Sequence, residues 1–150
     1  MKYKFTGKTK TVNRVKVRQI KRISDGLIGG YIESEKNLDQ KGKCFVYNNA
    51  VVSGNARVSG NARVFDNARV YGNAEVSEDA RVFGNAEVYG NAEVFGDAVV
   101  FDYAWVYGNA EVYGDAWVCD NASIYGNAWI YGNAEVYGDA VVYGDAVITD

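Results

Sequence analysis

The stretch AEVYGNAEVFGD at residues 86–97 states one six-residue unit twice: alanine, a variable residue, valine, an aromatic, glycine, then asparagine or aspartate. Outward from it the unit persists without insertion. Every sixth residue from Val46 to Ile148 is Val or Ile at all 18 positions, and every sixth residue from Ala50 to Ala146 is alanine at all 17. A period of six fits a short strand followed by a corner. In Ala-x-Val the outer two side chains share one side of the strand and the middle one takes the other. Gly-Asn or Gly-Asp then supplies the positive-φ turn that those residue types adopt at least cost. Three such sides close a triangular coil of about 18 residues with Val and Ala inside. Residues 45–150 make about six coils, a rod on the order of 28 Å tall at the usual strand spacing.

The repeat resembles that of the left-handed β-helix hexapeptide proteins, whose best-known members are acyltransferases. More narrowly, Leu27-Ile28-Gly29-Gly30-Tyr31-Ile32-Glu33-Ser34-Glu35-Lys36-Asn37-Leu38, followed by a run of V-Y-G-N-A units, resembles a group of short proteins common in bacteriophage and prophage genomes. That resemblance covers about residues 27–150, and it implies the left hand of the coil and a phage setting. It implies no activity. The predicted fold is therefore all-β, a left-handed parallel β-helix of about six to seven coils with a small N-terminal β cap.

The repeat phase can be run backwards. Cys44, Leu38 and Ile32 lie six, twelve and eighteen residues before Ala50, and Ile28 lies eighteen before Val46. Residues 27–44 are accordingly predicted as an irregular first coil in which larger residues replace alanine, ahead of the regular array at 45–150. Residues 1–26 are predicted as a basic β cap, since residues 2–23 alternate basic and apolar side chains, a pattern of two or three strands that would cover the bare first edge. At the other end, Val141, Val142, Val147 and Ile148 stand in an uncovered last coil, which predicts a homodimer or higher oligomer through this tip or a flank.

Composition excludes much chemistry. The chain has no histidine, no proline, 17 glycines, 12 tyrosines and a net charge of −3. Without histidine there is no His-based acid/base pair, no Ser/His or Cys/His nucleophile and no His-ligated metal. Hexapeptide acyltransferases use a histidine base, so that activity is expected to be absent, and no cofactor or metal is expected. A calcium β-roll needs a nonapeptide repeat, and this period is six. Cys44 and Cys119 fall about four coils apart, roughly 19 Å, and are expected to be free thiols. The N-terminus has no apolar segment of signal type and no run of 18 apolar residues occurs, so no membrane association is expected and a cytoplasmic location is.

Positions 18 apart should stack in columns. The outward slot after valine gives Tyr71, Tyr89, Tyr107, Tyr125 and Tyr143 on one face, Phe65, Phe83 and Phe101 on a second, and Phe95, Tyr113 and Tyr131 on the third. The tyrosine column is a candidate platform for sugars, bases or a partner. Glu75, Glu93 and Glu111 form a column before valine, Asp79, Asp97 and Asp115 one at the corner of the same units, and Glu78 adds a seventh carboxylate. This strip is a candidate imitation of a phosphate backbone. Trp105, Trp117 and Trp129 fall on three successive sides and form a candidate contact belt. Residues 1–44 hold 12 Lys/Arg against 4 Asp/Glu, whereas residues 45–150 hold 4 against 15, so a basic cap including Lys8, Lys10, Arg14, Lys16, Arg18, Lys21 and Arg22 sits on an acidic shaft.

A packed interior of Val and Ala leaves surface rather than a pocket. The expected function is non-catalytic binding or scaffolding, directed at a host protein or protein–nucleic-acid complex, in the form of an inhibitor of a nucleic-acid-directed defence system acting through the acidic strip. The alternative is nucleic-acid or glycan binding through the cap or the tyrosine column.

Overall fold

A computed structural model describes residues 1–150. It is a parallel β-solenoid of about seven coils with three flat faces. Beyond residue 45 each hexad contributes a two-residue strand, such as Glu87–Val88, Glu93–Val94 and Val99–Val100, and each strand pairs in parallel with the strand 18 residues on. We name the faces by their outward columns. The tyrosine face contains Arg69–Val70 and Glu87–Val88, the acidic face Glu75–Val76 and Glu93–Val94, and the phenylalanine face Arg81–Val82 and Val99–Val100.

The backbone explains the period. Within one unit, Trp105, Tyr107 and Asn109 donate their N–H groups to Ala122, Ile124 and Gly126 of the next coil at 2.9, 2.9 and 2.8 Å, and Ala104 closes the turn onto the Phe101 carbonyl at 3.3 Å. Proline could not serve at any of these donor sites. The array's valines and isoleucines up to Ile130 are at most 6% exposed, with alanines at 0% up to Ala134, in one core running from Tyr3 to Val136.

Corners set a second constraint. Gly90 has φ +67°, and a Cβ there would lie 2.9 Å from the Gly108 nitrogen of the next coil. Non-glycine residues at this slot must hold the same left-handed backbone, as Asp66, Glu78, Asp102 and Asp120 do with φ near 57°. Three of them are held by a bond to the coil below: Gly84 N–H donates to Asp66, Gly96 N–H to Glu78 and Gly138 N–H to Asp120, at 3.2, 2.8 and 2.8 Å. One corner adds an amide ladder in which Asn55, Asn73, Asn91, Asn109 and Asn127 each donate Nδ2 to the next residue's Oδ1, ending on Asp145, at 3.0–3.2 Å.

The first coil departs from the extrapolated phase. Counting back from Ala50 puts Ile32 and Leu38 in the alanine column, yet they pair with Val52 and Val58 and so take the valine column. The reason is two extra residues in the 39–43 loop, which separate Leu38 from Val46 by eight rather than six. Gly30 fills the alanine slot instead, its missing Cβ leaving room for the Ala50 carbonyl, which would lie only 2.7 Å from it. Ile28 is 50% exposed and not inward, while Cys44 is inward at 0% exposure.

Segment 27–38 closes this coil. After strand β3 (Ile28–Ile32) comes a single 3-10 turn, Glu35–Asn37. Asn37 is fully buried; its Nδ2 donates to the Gly54 and Ala56 carbonyls at 3.0 and 2.9 Å, and its Oδ1 accepts from Ser34 N–H at 2.8 Å. Glu33 accepts from Gly54 N–H at 2.6 Å. The side chains of this turn thus replace the missing strand's ladder.

Strands β1 (Tyr3–Val12) and β2 (Val15–Arg22) form an antiparallel hairpin whose second strand lies antiparallel to β3. The hairpin extends the sheet of the tyrosine face alone; the mouth of the coil is stopped by side chains. Tyr3 and Ile20 enter the core at 1% and 0% exposure, and the Tyr3 hydroxyl donates to the Leu38 carbonyl at 2.8 Å. Burial first, then the carboxylate of Glu35, pushes the Tyr3 phenol up to about 12. No helix is long and apolar enough to cross a membrane.

Gly90→Val should destabilise the rod by roughly 2 kcal/mol or more, because a branched side chain meets both the left-handed backbone and the next coil. Asp102→Gly, at an equivalent corner, should change stability by less than about 0.5 kcal/mol. Urea unfolding of the two variants measures both.

Candidate binding faces

The acidic face brings its predicted residues together. Its outward column before valine runs Arg57, Glu75, Glu93, Glu111, Trp129, Val147 in unbroken strand register. Glu75 and Glu93 are exposed and Glu111 is half-buried. At the neighbouring corner Asp79, Asp97 and Asp115 are all exposed, with Asn61 donating Nδ2 to Asp79 at 3.0 Å. The chain has two ion pairs, Arg22–Asp25 at 2.6 Å and Arg69–Glu87 at 3.8 Å, so none of the strip's carboxylates is neutralised by one. Burial, followed by the charges of Glu111 and Glu75, holds the Glu93 carboxyl above the usual carboxylate range. Glu78 plays a different part: it occupies the left-handed corner and its Oε2 accepts from Gly96 N–H, so it braces the turn.

On the tyrosine face the five rings form one stack. Successive centroids from Tyr71 to Tyr143 are 4.9, 4.8, 4.9 and 5.6 Å apart, with planes within 14° of parallel. A platform for sugars or bases needs free ring faces. Here each face is covered by the next tyrosine, and the column offers ring edges and a row of hydroxyls. At its upper end Tyr71 donates to Glu87 at 3.2 Å, and the hairpin turn with Val12, Asn13 and Val15 closes over it around a pocket of about 240 Å³. Only the lower face of Tyr143, 61% exposed, ends the stack.

The three tryptophans are 46–49% exposed and stand one to a face: Trp105 beside Glu87 and Ser123, Trp117 beside Val99 and Glu135, and Trp129 beside Glu111 and Val147. A flat partner reaches one of them, or two around a corner. Phe65, Phe83 and Phe101 stack at 4.6 and 5.1 Å, and Trp117 meets Phe101 edge-on at 6.1 Å.

The cap's cations divide into two groups. Arg18 lies 3.7 Å over the Phe5 ring and donates to the Glu33 carbonyl, Lys10 lies 4.0 Å over Tyr31, and Arg22 forms a two-pronged pair with Asp25 at 3.0 and 2.6 Å. The Arg22 guanidinium draws the Asp25 carboxyl down to about 2. Lys21 is half-buried, whereas Lys8, Arg14 and Lys16 are exposed along the hairpin. A second feature, not visible as a column, is a basin of about 590 Å³ between hairpin and first coils, with four cations, Lys2, Arg22, Lys43 and Arg63, and two carboxylates, Asp25 and Asp79, on its wall. It joins residues as far apart in sequence as Lys2 and Asp79, which only the fold brings together.

Cys44 and Cys119 are free thiols. Burial, then the charges of Asp120, Asp102 and Glu135, pushes the Cys119 thiol up and away from the reactive thiolate. Sulfur and carboxylate oxygens of Asp102, Cys119 and Asp120 fall within 4.8 Å of one another, with Asp120 already accepting from Gly138.

Among known families, the one described as YdcK beta solenoid repeat matches residues 56–72, 62–78 and 128–144. The matches fall inside the regular array, and with the coil geometry they make the chain a β-helix repeat protein. No curated protein sequence matches it.

Glu93→Gln should stabilise the protein at neutral pH by up to about 1 kcal/mol, since it removes two like-charge contacts about 4.8 Å away. A carboxyl raised in the folded state favours folding when protonated, and that contribution is lost as pH rises through its raised value. The gain from Glu93→Gln should therefore fade below the ordinary glutamate range near 4.3 and shrink in high salt. Thermal unfolding at pH 3.5 and 7.5 tests the sign.

Proposed function

We propose that this protein is a non-catalytic binding protein whose acidic face engages a basic macromolecular surface. The partner class is a host protein that handles nucleic acid, or its complex with nucleic acid. The biological form of the reading is an inhibitor of a nucleic-acid-directed defence system, working in the host cytoplasm in a phage or prophage setting.

The observation that carries the reading is the in-register Glu75–Glu93–Glu111 column beside the Asp79, Asp97 and Asp115 corner, with no ion pair to neutralise it. Two carboxylates per coil of about 4.8 Å give one negative charge per roughly 2.4 Å, against one per about 1.7 Å along duplex DNA. A site built to neutralise phosphates meets a comparable density here over three coils, held rigid by the backbone ladder. The absence of histidine and the closed Val/Ala core support a surface-based rather than a catalytic role.

The second reading is direct binding of nucleic acid by the cap, favoured by the exposed Lys8, Arg14 and Lys16 and by the basin at Lys2, Lys43 and Arg63. The stacked tyrosines weaken its glycan version, because the ring faces are taken.

Immobilised protein should capture a basic partner from bacterial lysate. Excess duplex DNA should compete that capture away, and the variant Glu93→Lys, Asp97→Lys, Glu111→Lys, Asp115→Lys should lose it, with unchanged circular dichroism. Capture that survives both treatments contradicts the acidic-face reading. A gel shift of duplex DNA by the protein alone, steeply weakened by salt, would favour the cap instead.

A further inference from the structure

The phenylalanine face carries a charge order found on neither of the others. Its outward column before valine reads Arg63, Arg81, Val99, Trp117, Glu135 in continuous register, basic above, apolar in the middle and acidic below. Arg63, Arg81 and Glu135 are exposed, and none has an ion-pair partner within the chain. The adjacent column is apolar or aromatic through Phe83, Phe101, Cys119 and Tyr137.

We propose that this face is the contact of a two-fold dimer in which two rods pack antiparallel, with Arg81 of each copy opposite Glu135 of the other. A two-fold axis lying in the contact plane between the Val99 and Trp117 rows sets the register. It opposes Arg81 to Glu135 twice and lays Trp117, 49% exposed, twice over the Val99 row, itself only 6% exposed, and in the second column it opposes Phe83 to Tyr137 and Phe101 to Cys119. An isologous contact requires this self-complementarity. Parallel packing would instead bring Arg81 level with Arg81 and Glu135 level with Glu135, with no opposite charge at either height. The other faces do not qualify. On the tyrosine face Arg69 is already paired with Glu87, and its upper end is covered by the hairpin. The acidic face would bring three consecutive glutamates against their copies.

The contact spans four coils, about 19 Å, which places it among small interfaces under about 1,200 Å² and makes the dimer weak and concentration-dependent. Asp97 and Asp115 of opposed copies meet at the rim across a sheet spacing of about 10 Å, close to a Debye length in 0.1 M salt, so their repulsion is screened. Both copies keep their glutamate columns and tyrosine faces outward, while the Asp97 and Asp115 corner borders the rim of the contact.

Sedimentation equilibrium over a micromolar concentration series tests the proposal. The unaltered protein should dimerise reversibly. Arg81→Glu and Glu135→Arg should each weaken association about tenfold or more, Trp117→Ala should also weaken it, and the double exchange R81E/E135R should restore it to near the starting affinity. Arg63→Glu should have little effect, since Arg63 lies outside the contact in this register. A protein monomeric throughout the series, a double exchange that fails to restore association, or loss of association in Arg63→Glu would overturn the proposal. So would association abolished by Ile148→Asp yet indifferent to Arg81→Glu, which would place the contact at the tip.

Discussion

Everything in this molecule depends on the backbone ladder between coils. Outward residues at three slots of each hexad donate N–H groups to carbonyls one coil on, as Trp105, Tyr107 and Asn109 do at 2.8–2.9 Å. Through the regular array such a ladder holds because every coil has the same length, since a one-residue slip turns an inward valine outward; the first coil keeps its ladder by confining its two extra residues to the 39–43 loop. The invariance of the valine and alanine columns follows from that register, as does the absence of proline. Corners obey the same rule. Glycine or a residue that holds a left-handed backbone must sit there, and of the four such Asp and Glu residues Asp66, Glu78 and Asp120 each accept an N–H from below.

With inward positions fixed, sequence freedom is confined to the outside, and the three faces diverge. Stacked rings and the asparagine ladder use the 18-residue spacing to reinforce coil-to-coil contact. The Glu and Asp columns do the reverse, since like charges at that spacing repel and Glu93 is held partly toward its protonated form. A column that works against stability by a modest amount, on a rod otherwise built of cooperating columns, is the kind of departure expected at a functional surface. The phenylalanine face separates its charges along the axis and so matches itself when inverted.

The regular array is legible in the sequence because its period admits one structure: columns, corners and core are all where counting puts them. The first coil is not, since two inserted residues between Leu38 and Val46 shift Ile32 and Leu38 from one inward column to the other and leave Ile28 exposed. Segment 27–38 is also the most distinctive in the chain, and its Asn37 and Glu33 turn out to close the coil rather than to face a partner. Sorting by residue type finds the tyrosine column but not that stacking closes its faces. It counts Arg18 and Arg22 among available cations, although Phe5, Glu33 and Asp25 hold them. It also passes over Arg81 and Glu135, whose meaning lies in their order along one face.

The most direct test of this dependence is to change coil length by a whole hexad or by one residue less, and to measure thermal unfolding by circular dichroism. Removing Val100–Trp105 keeps the inward pattern while moving every later column round by one face, so a single cooperative transition should persist within about 10 °C of the parent. Removing Val100–Ala104 breaks the inward pattern and should abolish that transition or lower it far more. If the two deletions proved equally damaging, or equally harmless, the six-residue register would not be what holds the rod together.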